Sequence, residues 1–505
     1  MQLLSYAFII LWVICFALYY LVPAKTQRYV LLTGSIAFYV IGLKEFPLGL
    51  LLTGLTTYAC GLYLQRNLAA QKAAAAQCAD KEARKTLKAG FARKRKRMQI
   101  LYFVFNLGLL VFYKYSGVIM PLGISFYTLT ALGYVIDVGR ENCEPETDFW
   151  NVLLFLAYFP AVTQGPFNRY APMKEQFLKE HVFDYERMLR GVQRFVWGAF
   201  KKLVIADRLG IFTDNVFAGD ISLTSGSVYA CAVVFYMLQL YTDFSGYIDM
   251  AAGVSETFGI MLPENFKQPY FAGSVAEFWR RWHITLGAWF KDYVMFSFVM
   301  SDAGRKIGKA CKKKWEKTGR QIVPIIGTML VWFLTGMWHG KTAGYMLWGV
   351  YYGLIMSLSL LLESYYGTVK KKLHIKEGKG YAYFCMVRTW CIVFIADVLI
   401  RSRSLGQAAA IFKAFIVRLR PLDLLSKTIT SYGLSRYDLL LLIAALLILL
   451  AVSLMQERGV DVRAFLASKP VPVRWLCYYG IVLLLLITGI YGGNYDTAAF
   501  LYQSF

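Results

Sequence analysis

Long apolar runs with few charges recur along this chain and limit what it can fold into. A helix needs roughly 20 predominantly apolar residues to cross the hydrocarbon of a bilayer. Hydrophobic residues make up 57% of the 505 residues and charged residues only 17%, whereas about a quarter of the residues in soluble domains are charged. The clearest runs cover residues 3–22, 100–120, 323–338, 344–362, 381–399, 439–454 and 475–490.

These runs predict an all-α polytopic membrane protein, because a helix pairs its backbone groups within one segment and lipid offers no other partner. Shorter apolar segments bring the expected number of spans to roughly 10–13, some of them re-entrant or interfacial. We expect a single membrane domain over residues 1–505, with scaffold spans at 1–99 and 349–505 and a functional core at 100–348.

The net charge of +24 is concentrated in basic loops at residues 66–97, 305–320, 370–379 and 458–474. Short basic loops between apolar spans are retained in the cytoplasm. The two spans between residues 320 and 370 should therefore form a hairpin whose turn faces outward, which places His339 towards the outer side. The basic runs lack interleaved aromatic residues, so a nucleic-acid partner is not expected.

Ionisable residues accumulate between residues 121 and 339, where Gly and Pro also interrupt the apolar runs. Such residues cost at least ~2.5–3.5 kcal/mol at membrane depth on insertion scales, so they should face a cavity or one another. Of the four histidines, His283 and His339 lie in apolar, tryptophan-rich sequence. His181 and His374 lie in charged loop sequence, and we expect both to be solvated.

A histidine in the core has two interpretations. A buried imidazole is more often a hydrogen-bonded structural group than a catalyst. However, its pKa near 6.5 suits a general base that removes a hydroxyl proton while an acyl carbonyl is attacked. No metal-ligand set and no nucleophile elbow accompanies these histidines, so neither a metal nor a bound cofactor is expected.

The spacing over residues 277–293 predicts a helix with aromatic residues such as Trp279 and Trp282 on one side. Arg280 and His283 fall on a neighbouring stripe. One interpretation is an interfacial helix with an aromatic belt. The other places Arg280 or Arg281 at the phosphates of an acyl carrier, since guanidinium binds phosphate bidentately, with His283 beside the thioester. Periodicity favours neither.

Residues 241–249 put Asp243 and Ser245 beside a glycine. We expect Asp243 and Asp249 to pair with arginines of the core, and a structural role is favoured over a catalytic one.

Six strings occur together in one order along the chain. They are Phe126-Tyr-Thr-Leu-Thr-Ala-Leu-Gly-Tyr-Val-Ile-Asp137, residues 159–166, Gly198-Ala-Phe-Lys-Lys-Leu-Val-Ile-Ala-Asp207, Asp243-Phe-Ser-Gly-Tyr-Ile-Asp249, Phe278-Trp-Arg-Arg-Trp-His283 and Gly336-Met-Trp-His-Gly340. With them the chain resembles membrane-bound O-acyltransferases of the bacterial branch that contains alginate O-acetylases (AlgI-like) and D-alanyl transferases (DltB-like). Residues 500–505 also resemble the ending of the alginate branch, apart from Leu501 and Ser504.

The resemblance implies a ring of helices around a thin central region of the cell membrane. There a cytoplasmic thioester donor, acetyl-CoA or another acyl thioester, and an extracytoplasmic acceptor meet from opposite faces. His339 and His283 match the two family histidines and would be catalytic, with an exported SGNH-type acyltransferase as partner and a polysaccharide as final acceptor. The residues expected to bind substrate or donor are Arg280, Arg281, Trp279, Trp282, Asp243, Ser245 and Trp338.

Two other functions stay open. D-alanylation of teichoic acid would use a carrier-protein thioester, and an adenylating ligase with a small carrier protein encoded nearby would favour it over acetylation. A transporter or flippase of an acylated lipid would also need a charged cavity, but its activity would survive replacement of His339.

Overall fold

The computed structural model describes residues 3–43, 47–116, 118, 120–315, 319–375, 378–424 and 428–491. Within these ranges the chain is helical and contains no β-strand; the one extended pairing there is an antiparallel bridge between Phe266 and Trp282. The predicted all-α class is therefore confirmed. Residues 500–505, which carried part of the resemblance, lie outside the described residues.

Twenty-two α-helices are present in the described chain. They are α1 (Tyr6–Leu21), α2 (Gln27–Leu43), α3 (Leu48–Gln77), α4 (Lys81–Tyr115), α5 (Ile124–Gly139), α6 (Phe149–Ala157), α7 (Tyr170–Leu178), α8 (Tyr185–Phe200), α9 (Asp207–Ala218), α10 (Gly226–Thr257), α11 (Val275–Arg281), α12 (Ile284–Phe290), α13 (Phe296–Val299), α14 (Asp302–Lys314), α15 (Gly319–His339), α16 (Ala343–Lys372), α17 (Lys379–Arg401), α18 (Leu405–Val417), α19 (Thr428–Ser431), α20 (Arg436–Glu457), α21 (Val462–Ala467) and α22 (Val471–Thr488). Two π-helical segments, Lys201–Ala206 and Lys291–Met295, and three short 3₁₀ turns join them.

Six of these helices are long and apolar enough to cross a membrane: α4, α15, the Ala343–Glu363 part of α16, α17, α20 and α22. Three shorter apolar helices, α1, α5 and α18, accompany them. No side chain of α22 is buried within the protein, as suits a helix whose surroundings are lipid. The chain is thus a multi-pass membrane protein.

Fewer segments meet this criterion than the 10–13 predicted spans. The reason is visible in α3 and α10, which contain predicted spans at residues 47–64 and 228–241. Both are long helices, but α3 continues into a polar, alanine-rich half, and α10 continues into the Asp243–Asp249 segment. The apolar parts of these helices are shorter than the helices themselves.

The chain forms two compact units. The first comprises the described residues up to Phe195 together with Met250–Pro263. In it α3 packs against α4, α5 and α6, and α1 packs against α2. Its interior includes Glu146, whose carboxylate accepts hydrogen bonds from Tyr170 Oη (2.6 Å) and from Lys174 Nζ (2.8 Å).

The second unit comprises Val196–Asp249 and the described residues from Glu264 onward. Its most extensive helix pair is the α15–α16 hairpin, which confirms the hairpin predicted from the basic loops. The two helices approach closely because glycines face each other: a Cβ built on Gly336 would lie 2.5 Å from the Tyr345 carbonyl oxygen, and one on Gly349 would lie 2.5 Å from the Trp332 carbonyl oxygen. Small residues at such positions let backbones come together in membrane helix pairs.

Candidate functional site

The chain leaves helical geometry at Trp282 and His283, between α11 and α12. The backbone here pairs with an earlier segment: Lys267 N donates to Arg281 O (2.9 Å), and Ile284 N donates to Asn265 O (3.0 Å). His283 adopts the left-handed region with φ 47°, which is uncommon for a residue with a side chain. The prediction of one helix over residues 277–293 is therefore wrong, because these backbone contacts outweigh the helical periodicity.

Asn265 determines which nitrogen of His283 carries the proton. The Oδ1 atom of Asn265 accepts hydrogen bonds from the backbone N of Thr285 (3.1 Å) and from its Oγ1 (2.8 Å). Because a backbone N–H can only donate, this amide atom must be the oxygen. His283 Nδ1 lies 3.3 Å from the same oxygen and must donate to it. In the neutral imidazole Nε2 then carries the lone pair and is the nitrogen able to accept a proton.

His339 is the last residue of α15 and is buried, with 4% of its surface exposed. The ring of Trp338 contacts both candidate imidazoles: its centroid lies 4.9 Å from that of His339 and 6.4 Å from that of His283. The ring of Trp348 packs edge-on to His339 at 5.4 Å. The structure thus brings His283, Trp338 and His339 into one aromatic cluster.

A pocket opens beside His339, and its walls are mostly aromatic. Trp279 and Trp282, both predicted from the sequence to bind substrate, belong to these walls. The described residues that line the pocket are Leu240, Tyr270, Phe278, Trp279, Trp282, His339, Tyr345, Trp348, Tyr352, Val393, Asp397 and Ile400. Enclosed apolar walls with a few polar groups are typical of sites for small molecules.

The two arginines of the tryptophan-rich segment have different surroundings. Arg281 forms ion pairs with Glu277 and Glu457, each at 2.7 Å. Arg280 is exposed, and no residue in the described ranges forms a hydrogen bond or ion pair with it. Of the two, Arg280 is therefore the side chain with room for a phosphate contact, and phosphate binding stays a prediction.

Asp243 and Asp249 pair with lysines, which the sequence did not indicate, and the expected pairing with arginines stays a prediction. Lys202 Nζ lies 2.8 Å from Asp243 and 2.9 Å from Asp207, and Lys201 Nζ lies 2.6 Å from Asp249. Lys201 also donates to Ser245 Oγ at 2.9 Å. Both lysines start a π-helical segment, which redirects side chains relative to a regular helix. Asp243 and Ser245 are not among the described residues that line the pocket.

The two remaining histidines differ from each other. His374 is exposed, as predicted. His181 is buried, so its predicted solvation is wrong: Tyr19 Oη lies 2.8 Å from His181 Nδ1, and the Gln27 side chain pairs with the His181 backbone. The surrounding charges in the sequence concealed these contacts, which come from α1 and from the start of α2.

Two polar residues of this region were not singled out in the sequence. Asn265 gave no local signal, because its role depends on contacts with residues later in the chain. Asp397 did give one: it is an acidic residue within the apolar helix α17, and an ionisable residue in such a run is itself a functional indication. Asp397 lies beyond residues 121–339, where the ionisable residues accumulate.

Comparison with known proteins identifies a family. Residues 145–310 match MBOAT, the membrane-bound O-acyltransferase family. The chain is 31% identical over 419 residues to the probable alginate O-acetylase AlgI of Pseudomonas aeruginosa, covering 79% of this chain and 71% of that protein. It is 34% identical over 303 residues to the probable AlgI of Pseudomonas syringae pv. tomato, covering 59% of this chain and 52% of that protein.

A third relative is the teichoic acid D-alanyltransferase of Bacillus subtilis, which is 29% identical over 256 residues, covering 48% of this chain and 60% of that protein. The chain thus spans little more than half the length of some curated relatives and a larger share of others. The extent of the P. aeruginosa match, together with the family match over the segment that contains His283, settles the family. The chain belongs to the membrane-bound O-acyltransferase family.

Proposed function

We propose that this protein transfers an acetyl group from a cytoplasmic thioester, acetyl-CoA, to a hydroxyl acceptor, on the way to O-acetylation of an exported cell-surface polysaccharide. It would act in the inner or plasma membrane together with an extracytoplasmic SGNH-type acyltransferase. The observation that carries the proposal is the buried cluster in which Trp338 contacts both His283 and His339 at the edge of an aromatic pocket.

In the proposed reaction His339 is the general base. It takes the proton of the acceptor hydroxyl as the oxygen attacks the thioester carbonyl, so that a C–O bond forms and the C–S bond breaks. The electron pair of the broken bond leaves with sulfur, and the proton held by the enzyme neutralises the thiolate. His283, whose Nε2 is the proton-accepting nitrogen, lies beside the thioester in this scheme.

The names of the relatives support acetyl transfer, since the P. aeruginosa and P. syringae proteins are probable alginate O-acetylases. D-alanyl transfer to teichoic acid from a carrier-protein thioester is the second candidate, and the similarity to the B. subtilis enzyme favours it. The neighbouring genes separate the two: an SGNH-type gene supports acetylation, and an adenylating ligase with a small carrier protein supports D-alanylation.

A test of the proposal compares His339→Gln with His374→Gln in protein purified together with the SGNH-type partner. We expect His339→Gln to lose acetyl transfer from radiolabelled acetyl-CoA by a factor of about 10²–10⁴, the contribution typical of a general base. His374 is exposed, so His374→Gln should retain wild-type activity. Both variants should elute and melt like the wild type. Full transfer by folded His339→Gln would contradict the assignment, and no transfer by the wild type would contradict acetyl-CoA as donor.

A further inference from the structure

Asp397 is a buried acid in the wall of the pocket that contains His339. It lies on α17 with 4% of its surface exposed, and it shares the pocket with Trp279, Trp348 and Tyr352. A carboxyl group in apolar surroundings costs free energy unless it is paired or hydrogen-bonded. Its presence here therefore needs an explanation.

No described residue supplies a partner for Asp397. Other buried acids of the same unit have cations: Asp243 and Asp207 share Lys202. Arg401 lies one turn after Asp397 on α17 and would be a natural partner. However, Arg401 pairs with Asp214, and its guanidinium packs over aromatic rings.

A second polar group in the same wall also lacks a hydrogen-bond partner. The buried Nε1–H of Trp279 has no acceptor among the described residues. The hydroxyl of Tyr270 is already engaged, because it donates to the Met237 carbonyl oxygen at 2.6 Å. Beside the imidazole of His339 and the hydroxyl groups of Tyr345 and Tyr352, the pocket walls thus hold one carboxyl group and one N–H donor for which the described residues supply no partner.

These two groups together select one ligand chemistry. An acetyl carbonyl can only accept hydrogen bonds and leaves the acceptor oxygen of the carboxyl group unpaired, whereas an ammonium group can only donate and leaves the indole N–H unpaired. An alcohol does both: its O–H donates to a carboxyl oxygen, and its oxygen accepts from an N–H. A site built to hydrogen-bond a hydroxyl discriminates strongly against ligands that lack it.

We propose that Asp397 is a positioning residue that binds the hydroxyl-bearing acceptor in this pocket, with Trp279 donating to the acceptor oxygen. The inference rests on the acyl transfer proposed above and adds the place where the acceptor is held. The hydroxyl could come from a sugar or from a serine of a partner protein. Both sources present the same aliphatic alcohol to the pocket.

The test measures KM separately for donor and acceptor in wild type and Asp397→Asn. The donor is acetyl-CoA, and the acceptor probes are methyl α-D-mannoside and N-acetylserine methylamide. We expect Asp397→Asn to raise the acceptor KM about tenfold, the loss of roughly one strong hydrogen bond, while the donor KM stays within about twofold. The probe with the lower KM in the wild type identifies the source of the hydroxyl, and the KM of that probe should rise in Asp397→Asn.

Thr389→Val is the matched control on the same helix. Thr389 is fully buried, its hydroxyl bonds within α17 to the Cys385 carbonyl oxygen, and it does not line the pocket. The Thr389→Val variant should therefore keep the wild-type KM for the donor and for the acceptor. If Asp397→Asn does not fold, Asp397→Glu and Trp279→Phe are compared in the same way, and either one must raise the acceptor KM.

The outcomes separate this inference from the proposed function. An acceptor KM that stays at the wild-type value for both probes, in an active and folded variant, overturns the role of Asp397 and leaves acyl transfer intact. If Asp397→Asn lost activity with acetyl-CoA but not with a D-alanyl thioester, or the reverse, the carboxyl would contact the acyl group, and the acceptor role would be wrong. No transfer by the wild type to any acceptor would reject the proposed function itself.

Discussion

A single side-chain oxygen of Asn265 receives hydrogen bonds from Thr285 and from His283. The Thr285 backbone N–H fixes the identity of that oxygen, and the oxygen in turn fixes the tautomer of the imidazole. A second residue thus orients a candidate base, in the way that an acidic residue orients the histidine of a hydrolase triad.

Asn265→Asp tests this contact through the pH dependence of acyl transfer. The aspartate keeps an acceptor oxygen but adds a negative charge, which stabilises the imidazolium form of His283. His283 Nε2 can accept a proton only in the neutral imidazole, so we expect the acid limb of the pH–rate profile to move to higher pH by on the order of one unit. Asn106→Asp is the control, because Asn106 is a buried asparagine whose side chain contacts Thr56 and the Tyr102 backbone. An acid limb that stays in place in Asn265→Asp would contradict the assigned role.

Glu146 lies in the loop before α6. Its carboxylate accepts hydrogen bonds from side chains of α7 and from the backbone of its own loop. Burial alone would raise the pKa of Glu146, but the hydrogen bonds from Lys174, Tyr170 and the Asp148 backbone bring the pKa below its ordinary value of 4.5. The folded state therefore favours the carboxylate. This stabilisation is fully present above pH 4.5 and is lost as the pH falls through the lower pKa of the folded state.

Glu146→Gln should lower the free energy of unfolding at pH 7 by about 1–3 kcal/mol, because it leaves buried donors with a weaker acceptor. The difference from wild type should shrink as the pH falls below 4.5. Thermal melts in detergent from pH 7 to pH 3.5 check this expectation, with Glu144→Gln, at an exposed position, as the control. A difference that did not depend on pH would rule out the charge as its source.

At the scale of elements, the α15–α16 hairpin holds His339 in place. Gly336 lies one turn before His339, and a Cβ there would come within 2.5 Å of the Tyr345 carbonyl oxygen. Any side chain at this position must separate the two helices. Separation would move His339 relative to Trp348, which lies across the hairpin on α16.

Gly336→Ala should therefore lower stability by about 1–3 kcal/mol through overpacking and reduce acyl transfer more than tenfold through displacement of the base. Gly367→Ala on α16 is the matched control: nothing lies within 4 Å of a Cβ there, so alanine should stabilise the helix slightly. Melting curves and acetyl-transfer rates of the two variants check the comparison. Wild-type activity in Gly336→Ala would show that the close approach is not needed.

The hairpin could be predicted from the sequence because its two apolar runs lie between basic loops, and both signals are local. The break in the helix at His283 could not be predicted from the sequence, because it depends on backbone and side-chain contacts with Asn265, 18 residues earlier. The same limit applies to Asp243, whose acidic character indicated a cation but not which one. Lys202 reaches it from a π-helical segment that departs from regular helical spacing.

At the scale of the whole molecule, the distribution of basic residues predicts which side of the membrane each loop occupies. Lys341 is exposed in the turn between α15 and α16, and Lys313 is exposed near the end of the basic helix α14. The positive-inside rule places α14 in the cytoplasm. One crossing by α15 then places the turn outside.

Cysteine labelling tests this topology in a background from which the nine native cysteines have been replaced. A membrane-impermeant maleimide should label Lys341→Cys in intact cells, and it should label Lys313→Cys only after permeabilisation. The reverse pattern would invert the topology and place His339 on the cytoplasmic side, where the donor, not the acceptor, would reach it first.

The left-handed backbone of His283 affects how its replacement should be interpreted. At φ 47°, alanine keeps the conformational penalty of a side chain, roughly 1–2 kcal/mol, and also loses the bond to Asn265. An inactive His283→Ala would therefore combine a displaced chain with a missing imidazole. Asparagine and glycine occupy this region readily, so His283→Asn and His283→Gly remove the imidazole without that conformational penalty.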